Sequence, residues 1–398
     1  MDTCRSKYDV IVAGGGISGF SAAVTAARLG AKTLLIESSG DIGGCAALSG
    51  VANFCTDGSP LDANGPLWHE ILTRLRACHA IGAENGFPSS AVASIHTENH
   101  PFAQALLSPV LLTMLRENSV DILLHMSVTG VVTDNGHLLR AVIHNESLSF
   151  EVAGSVFIDA TGDGTLALHA GGESLPDHDG EFEPLPPAFR IYLRKTPHPT
   201  PLPPSEPSPY PYGVQELPDG TVVLKLNLKQ KTTLSAAERN ETEVEVRSNV
   251  LKIVRDFQDK HGEYYQLCGT AQNLAVRESR RIRGDYVLTT DDIRHGRVFD
   301  DAVVSGRFII DTVHRHEQIP EFTIPYRALL VKGTDNLLVC GRCLSAERGA
   351  MSAARIMSTC CKMGQACGAA AALACSSSTP LRALSPKTIA KDILPKEI

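Results

Sequence analysis

Apolar and polar positions along this chain keep two periods, and both appear within the first forty residues. Tyr8-Asp9-Val10-Ile11-Val12-Ala13 is a short, nearly continuous apolar run that reads as a buried strand. Ala22, Ala23, Ala26, Ala27 and Leu29 then recur at helical spacing, and Gly30 stands where that helix would stop. A second apolar run, Thr33 to Ile36, ends in Glu37.

The same pattern extends through the rest of the chain. Residues 46–66 are small and polar and read as loops. Helical spacing returns over Trp68–Ala80 and over Phe102–Leu115. Short strands follow at Asp121–Leu124, Val128–Thr133, Leu138–His144 and Ser147–Val152, with a turn at Asn135-Gly136. A further buried strand, Ser155–Ala160, runs into a second glycine turn at Gly162-Asp163-Gly164. Eleven of the 23 prolines lie between Pro184 and Pro211, a density that predicts an extended connector or surface arm. After it come a strand at Thr221–Leu226 and one helix from Ser235 to about Lys260, with Thr233 or Ser235 as N-cap. A last strand, Asn336–Cys340, precedes a long helix over Ser352–Cys375 that is rich in Gly and Ala.

The turn between the first strand and the first helix adds chemistry. Gly14, Gly16 and Gly19 have G-x-G-x-x-G spacing, with a strand before, a helix after and an acid at the end of the second strand. Gly14 permits the tight turn, Gly16 lets a pyrophosphate approach the backbone, and Gly19 lets helix and strand pack closely. Phosphates would sit on the helix N-terminus, and Glu37 would accept hydrogen bonds from a ribose. This is a dinucleotide-binding βαβ unit, and it does not choose between FAD and NAD.

Composition narrows the classes. The chain has 398 residues, 43% of them hydrophobic and 20% charged, enough for a large core and two domains. A net charge of −7 offers no basic excess for nucleic acid. No apolar run reaches membrane-spanning length, and a strand starting by Tyr8 leaves no room for a signal peptide, so the expectation is a cytoplasmic protein without a membrane partner. The eleven cysteines read as reduced thiols. Cys340-x-x-Cys343 lacks a second pair, because position 363 is Met, so no metal is expected.

Five blocks taken together resemble the FAD-dependent oxidoreductase family of the glutathione-reductase-like, two-dinucleotide-binding-fold flavoproteins, and more distantly the fumarate-reductase flavoproteins. They are YDVIVAGGGISG near the start, Ile42-Gly43-Gly44, IDATGDG at 158–164, VRESRRIRGDYVLT at 276–289 and the stretch 324–374. The resemblance implies an α/β fold: a Rossmann-like FAD-binding domain, its parallel sheet flanked by helices and carrying a β-rich insert, plus an inserted α+β substrate domain. Residues 1–170 would be the first part of the FAD-binding domain. Residues 171–325 would be the substrate domain, with its Pro-rich arm at 184–211, and residues 326–398 the C-terminal part of the FAD-binding domain.

The resemblance also implies a cofactor site. Gly14, Gly15, Gly16, Ile17, Ser18, Gly19, Glu37 and Ser38 would hold the ADP half. Gly43, Gly44 and Cys45 would run along the pyrophosphate and ribityl, with Val128 near the adenine and Ala160, Thr161, Gly162 and Asp163 beside the ADP portion. Gly341 and Arg342, with Met357, Ser358, Thr359 and Cys360, would reach the ribityl and the flavin ring, where a helix N-terminus stabilises negative charge. The family often has Pro where this chain has Ser358, and His near Glu347-Arg348.

Arg277, Glu278, Arg348 and Arg355 are the candidate catalytic or substrate-binding residues, because a guanidinium fork suits an anionic substrate. An ion-paired clamp between domains is the competing reading for all four. His314 and His316 read as surface residues, and Cys45, Cys360 and Cys361 as inert thiols. There is no second G-x-G-x-x-G in context, so electrons would be exchanged with a small-molecule substrate, O2, a redox partner or a transiently bound nicotinamide. Hydride transfer between a small organic substrate, including an anionic one, and flavin N5 is the expected reaction. A flavin monooxygenase and a non-catalytic FAD-binding scaffold are the alternatives, and a homo-oligomer is compatible with all three.

Overall fold

The computed structural model describes residues 7–57, 59–81, 87–88, 98–176, 182–198, 202, 206–228, 235–312 and 316–391. Its main sheet is organised around the strand Ser149–Asp159. The second half of that strand pairs in parallel with Lys7–Ala13 on one side and with Leu337–Val339 on the other. The first half pairs antiparallel with His137–His144, which in turn pairs with Ser127–Asp134. Thr33–Ile36 and Asp121–Leu123 extend the parallel side beyond Lys7–Ala13. This is the α/β sheet with a β-rich insert that the sequence implies. The strands expected at 147–152 and 155–160 are one strand. Gly154 does not break it, because a Cβ there would come within 2.8 Å of Ile11 Cδ1, so the glycine serves close packing.

Two helices lie against each other beside this sheet, Ile17–Arg28 and Met357–Ser377. Their small residues set the distance. A Cβ on Gly364 would stand 2.1 Å from the Ser18 carbonyl oxygen, and one on Gly368 would stand 2.3 Å from that of Ala22. The C-terminal helix begins later than its sequence pattern predicts. A separate helix, Arg348–Ala354, precedes it, and Arg355 and Ile356 form the break.

A second, antiparallel sheet runs in the order Tyr212–Glu216, Val222–Asn227, Ala188–Lys195, Tyr265–Thr270. Its presence corrects the reading of 184–211 as an extended connector or surface arm, because Ala188–Lys195 is an inner strand of this sheet. The prolines flank Ala188–Lys195, and those eight proline-free residues alternate as a strand should. Phe189, Ile191 and Leu193 enter a core of their own with Val246, Ile253 and Phe257 from two covering helices. Those helices, Ala236–Ser248 and Val250–His261, replace the single helix expected, with Asn249 at the break. Ser235 caps the first by accepting from the Glu238 amide, whereas Thr233 lies outside the described residues. Leu288, Val304, Phe322 and Ile324 pack instead into the large core under the main sheet. No helix among the described residues is long and apolar enough to cross a membrane.

Candidate functional site

The glycine turn is built by contact as much as by conformation. Gly14 has φ +99°, and a Cβ on it would meet the Ala160 carbonyl oxygen at 2.4 Å. The helix that follows starts at Ile17 with Gly16 as N-cap, no capping side chain and no acid in its first turn. Its N-terminal amides are therefore left for a ligand. Gly43 donates to the Gly15 carbonyl at 2.8 Å, which lays the second pair of glycines against the first. Glu37 is buried at the end of its strand. Its carboxylate accepts from the Gly15 amide at 2.6 Å and the Ser39 amide at 2.8 Å, so it braces the turn as well as facing the cavity.

The second glycine turn is tied down by Asp159, which the sequence reading did not single out. Its buried carboxylate accepts from the Thr161 amide and hydroxyl and from the Ala167 amide, and burial holds its pKa above the ordinary carboxylate range. Next in line, Asp163 Oδ1 lies 2.7 Å from Arg342 Nη2, and Arg239 approaches the other oxygen at 3.4 Å. Burial pulls the Asp163 pKa up, but Arg342, the Ser279 hydroxyl and Arg239 together outweigh it, and the carboxyl is held below the ordinary range. Arg342 also donates to the carbonyls of Gly162 and Val276, so one guanidinium joins three segments.

These segments wall a cavity of about 600 Å³. Of the residues expected at a cofactor, Gly14, Gly16, Ile17, Ser18, Glu37 and Ser38 line it. So do Gly43, Gly44, Cys45, Val128, and the run Ala160 to Asp163. Gly341, Arg342, Met357 and Cys360 complete that set. Gly15 and Gly19 lie behind the surface. Ser358 and Thr359 are buried in the first turn of the C-terminal helix, whose N-terminus also lacks a capping side chain or acid. The Cys360 and Cys361 thiols are pushed up to about 12 by burial and are not poised as thiolates.

The four candidate chemistry residues divide. Arg277 and Arg355 line the cavity. Arg277 donates to the Pro186 carbonyl at 2.6 Å, and Arg355 pairs with Asp311 at 2.8 Å. Glu278 and Arg348 do not reach the cavity wall. They form a buried ion pair with each other, both side chains under 5% exposed, a contact of the kind the competing clamp reading expects. His316 pairs with Asp311 at 3.1 Å, and His314 lies outside the described residues.

Two arginines on the wall escaped the sequence reading. Arg239 reaches it from the Ala236–Ser248 helix, and Arg190 from the Ala188–Lys195 strand. The signal for Arg190 was present in Phe189-Arg190-Ile191-Tyr192-Leu193, an alternation masked by the neighbouring prolines.

Comparison with known proteins bears on what such a cavity holds. A family model described as FAD dependent oxidoreductase matches residues 9–192 and 203–393. Among solved structures, a flavin-dependent brominase is similar at 14% identity, covering 97% of this chain and 83% of its own, with a TM-score of 0.54. An aromatic hydroxylase from angucycline biosynthesis is similar at 12% identity with a TM-score of 0.53. The match covers 94% of this chain but only 63% of the hydroxylase, so this chain spans less than two thirds of that protein. The anhydrotetracycline hydroxylase OxyS of Streptomyces rimosus, at 14% identity and a TM-score of 0.52, is covered to 65%, against 98% of this chain. At such identities the likeness concerns the fold. The family model supports the FAD-dependent oxidoreductase resemblance, and these structures give no specific tie to fumarate-reductase flavoproteins.

Proposed function

The chain belongs to the FAD dependent oxidoreductase family, and from that premise we propose that it exchanges a hydride between a small organic substrate and FAD, as a dehydrogenation or a double-bond reduction. The observation that carries this is the continuity of the cavity. Two glycine turns, two uncapped helix N-termini and the Arg342–Asp163 pair border one space of about 600 Å³, within the range of small-molecule and cofactor sites.

The lining fits an extended dinucleotide. A Cβ on Gly16 would meet nothing nearer than Gly44 Cα at 4.0 Å, so this glycine keeps the space beside the helix N-terminus open, and the amides of the Ile17–Arg28 helix suit a pyrophosphate. Glu37 and Ser38 would hold the ribose, and Met357 and Cys360 would border the ring end. When bound, FAD supplies the two-electron redox chemistry, and the protein supplies orientation and charge. Arg277 and Arg355 would fix an anionic substrate from the side of the second sheet, each with a backbone or carboxylate partner that restricts its rotamer. We place the substrate domain within 171–325, on the second sheet and its two covering helices, and the segments of 1–170 and 326–398 around the cofactor.

A second reading, flavin-dependent monooxygenation, is favoured by the fold neighbours, two of which are described as hydroxylases. Turnover under ¹⁸O2 separates the two. Hydride exchange leaves the product free of ¹⁸O and proceeds under anaerobic conditions, with an artificial electron acceptor for dehydrogenation or an artificial electron donor for double-bond reduction. Monooxygenation requires O2 and places one ¹⁸O atom in the product.

A further inference from the structure

One wall of the cavity carries more positive charge than its carboxylates answer. Along Ala188–Lys195 the apolar side chains enter the core beneath the sheet, and Arg190 leaves the opposite face to line the cavity. Lys225 stands directly opposite Arg190 on the antiparallel Val222–Asn227 strand, so it leaves the same face. Like charges in such a cross-strand pair repel each other. Arg277 arrives at this wall from the segment after Tyr265–Thr270, and Arg355 from the end of the Arg348–Ala354 helix.

Their partners do not balance them. Arg355 has Asp311, yet its buried Nε donates to nothing among the described residues. Arg190 and Arg277 donate to the carbonyls of Ser49 and Pro186. Among the described residues neither of them, nor Lys225, has a carboxylate within ion-pair distance. Glu278, next to Arg277 in sequence, is taken up by Arg348. The crowding shows in the titration of the group. Burial, then Arg355 and Arg190, push Arg277 down to about 10, and burial, then Arg277 and Arg190, push Lys225 down to about 8. Buried cations without counter-charge are costly to a fold, and an anionic ligand among them removes that cost.

We propose that the substrate is a small organic dianion of the dicarboxylate class, bound between Arg190, Lys225, Arg277 and Arg355. The proposal rests on reading the cavity as a combined FAD and substrate site. Arg190, Arg277 and Arg355 reach one space from a strand, a loop and a helix end, and Lys225 stands beside Arg190 on the same face of the sheet, an arrangement suited to two separated carboxylates. Each carboxylate can take a guanidinium fork, and the Lys225 ammonium adds a point charge. A monoanion would leave part of the excess unanswered.

The test uses the FAD-loaded protein in low-salt buffer and isothermal titration calorimetry. Malonate, succinate and glutarate are titrated beside their monoamides and diamides, with inorganic phosphate as a further arm. At least one dicarboxylate is expected to bind about tenfold or more tightly than its monoamide, with no heat from the diamide. Arg190→Gln and Lys225→Gln are each expected to lower that affinity by about tenfold, Arg190→Lys and Lys225→Arg to retain most of it, and bound FAD to stay unchanged. The wild-type series needs no variant to be interpreted. Equal affinity for acid, monoamide and diamide, no binding of any acid, or phosphate binding more tightly than every dicarboxylate overturns the proposal. So does loss of FAD in the variants with unchanged acid affinity, which would put these cations at the cofactor. Failure of the underlying FAD reading looks different, because the wild-type protein would then carry no flavin.

Discussion

Arg342 and Asp163 meet at 2.7 Å and lock the second glycine turn to the segment after the Leu337–Val339 strand. The pair lies on the cavity wall, so it positions backbone that FAD would follow. Asp163→Asn or Arg342→Gln should weaken FAD binding by about ten- to a hundredfold, the scale of one charge-assisted hydrogen bond. Titration of FAD into apoprotein measures it. Because the Asp163 carboxyl is held below its ordinary range, its contribution to stability is full above that range and is lost as pH falls through the depressed value. The acid limb of a stability profile should therefore be shallower in Asp163→Asn.

The buried Glu278–Arg348 pair should behave as structure. Removing one partner leaves a buried charge unanswered, so Glu278→Gln or Arg348→Met should cost about 3–5 kcal/mol of unfolding free energy. Urea denaturation measures the loss. The folded fraction of either variant should keep its FAD affinity, and a change there without a stability change would return Glu278 to the site.

Close packing of the first and last long helices depends on missing Cβ atoms. Gly364→Ala should destabilise by about 1–3 kcal/mol despite alanine's better helix propensity, because the new Cβ meets backbone that cannot swing aside. Thermal unfolding with FAD in excess checks this, and an unchanged Tm would show that the helices slide apart freely.

Lys225 supplies a second pH dependence. It faces Arg190, Arg277, Asp311 and Cys55, and its pKa is pushed down to about 8. Below pH 8 the folded protein bears the full cost of the crowded ammonium. That cost is relieved as pH rises from about 8 toward the unfolded value, so stability should rise across that window. Dicarboxylate affinity should fall across the same window as the ammonium loses its proton. Lys225→Arg should flatten both limbs, as read by calorimetry between pH 7 and pH 9 (about one unit on either side of the pKa).

The first glycine turn, the strands around it and the second glycine turn were legible because local sequence alone dictates them. Gly14, Gly16 and Glu37 set the backbone geometry of the turn within one short unit. The strand Ala188–Lys195 was not legible, since proline density was averaged over a window that contained eight proline-free residues. Arg190 was lost with it. The separation of Arg277 and Arg355 from Glu278 and Arg348 was also beyond the sequence. Adjacent residues 277 and 278 face different environments, and only the fold shows that Glu278 turns toward a partner 70 positions away.

The most direct measurement is the flavin content of the purified protein, from its visible absorbance spectrum and from titration of added FAD into protein stripped of cofactor. The account predicts one FAD per chain, with retention weakened by Gly14→Val, whose side chain would strike the Ala160 carbonyl. A folded protein by circular dichroism that neither carries FAD nor binds it when added would contradict the account.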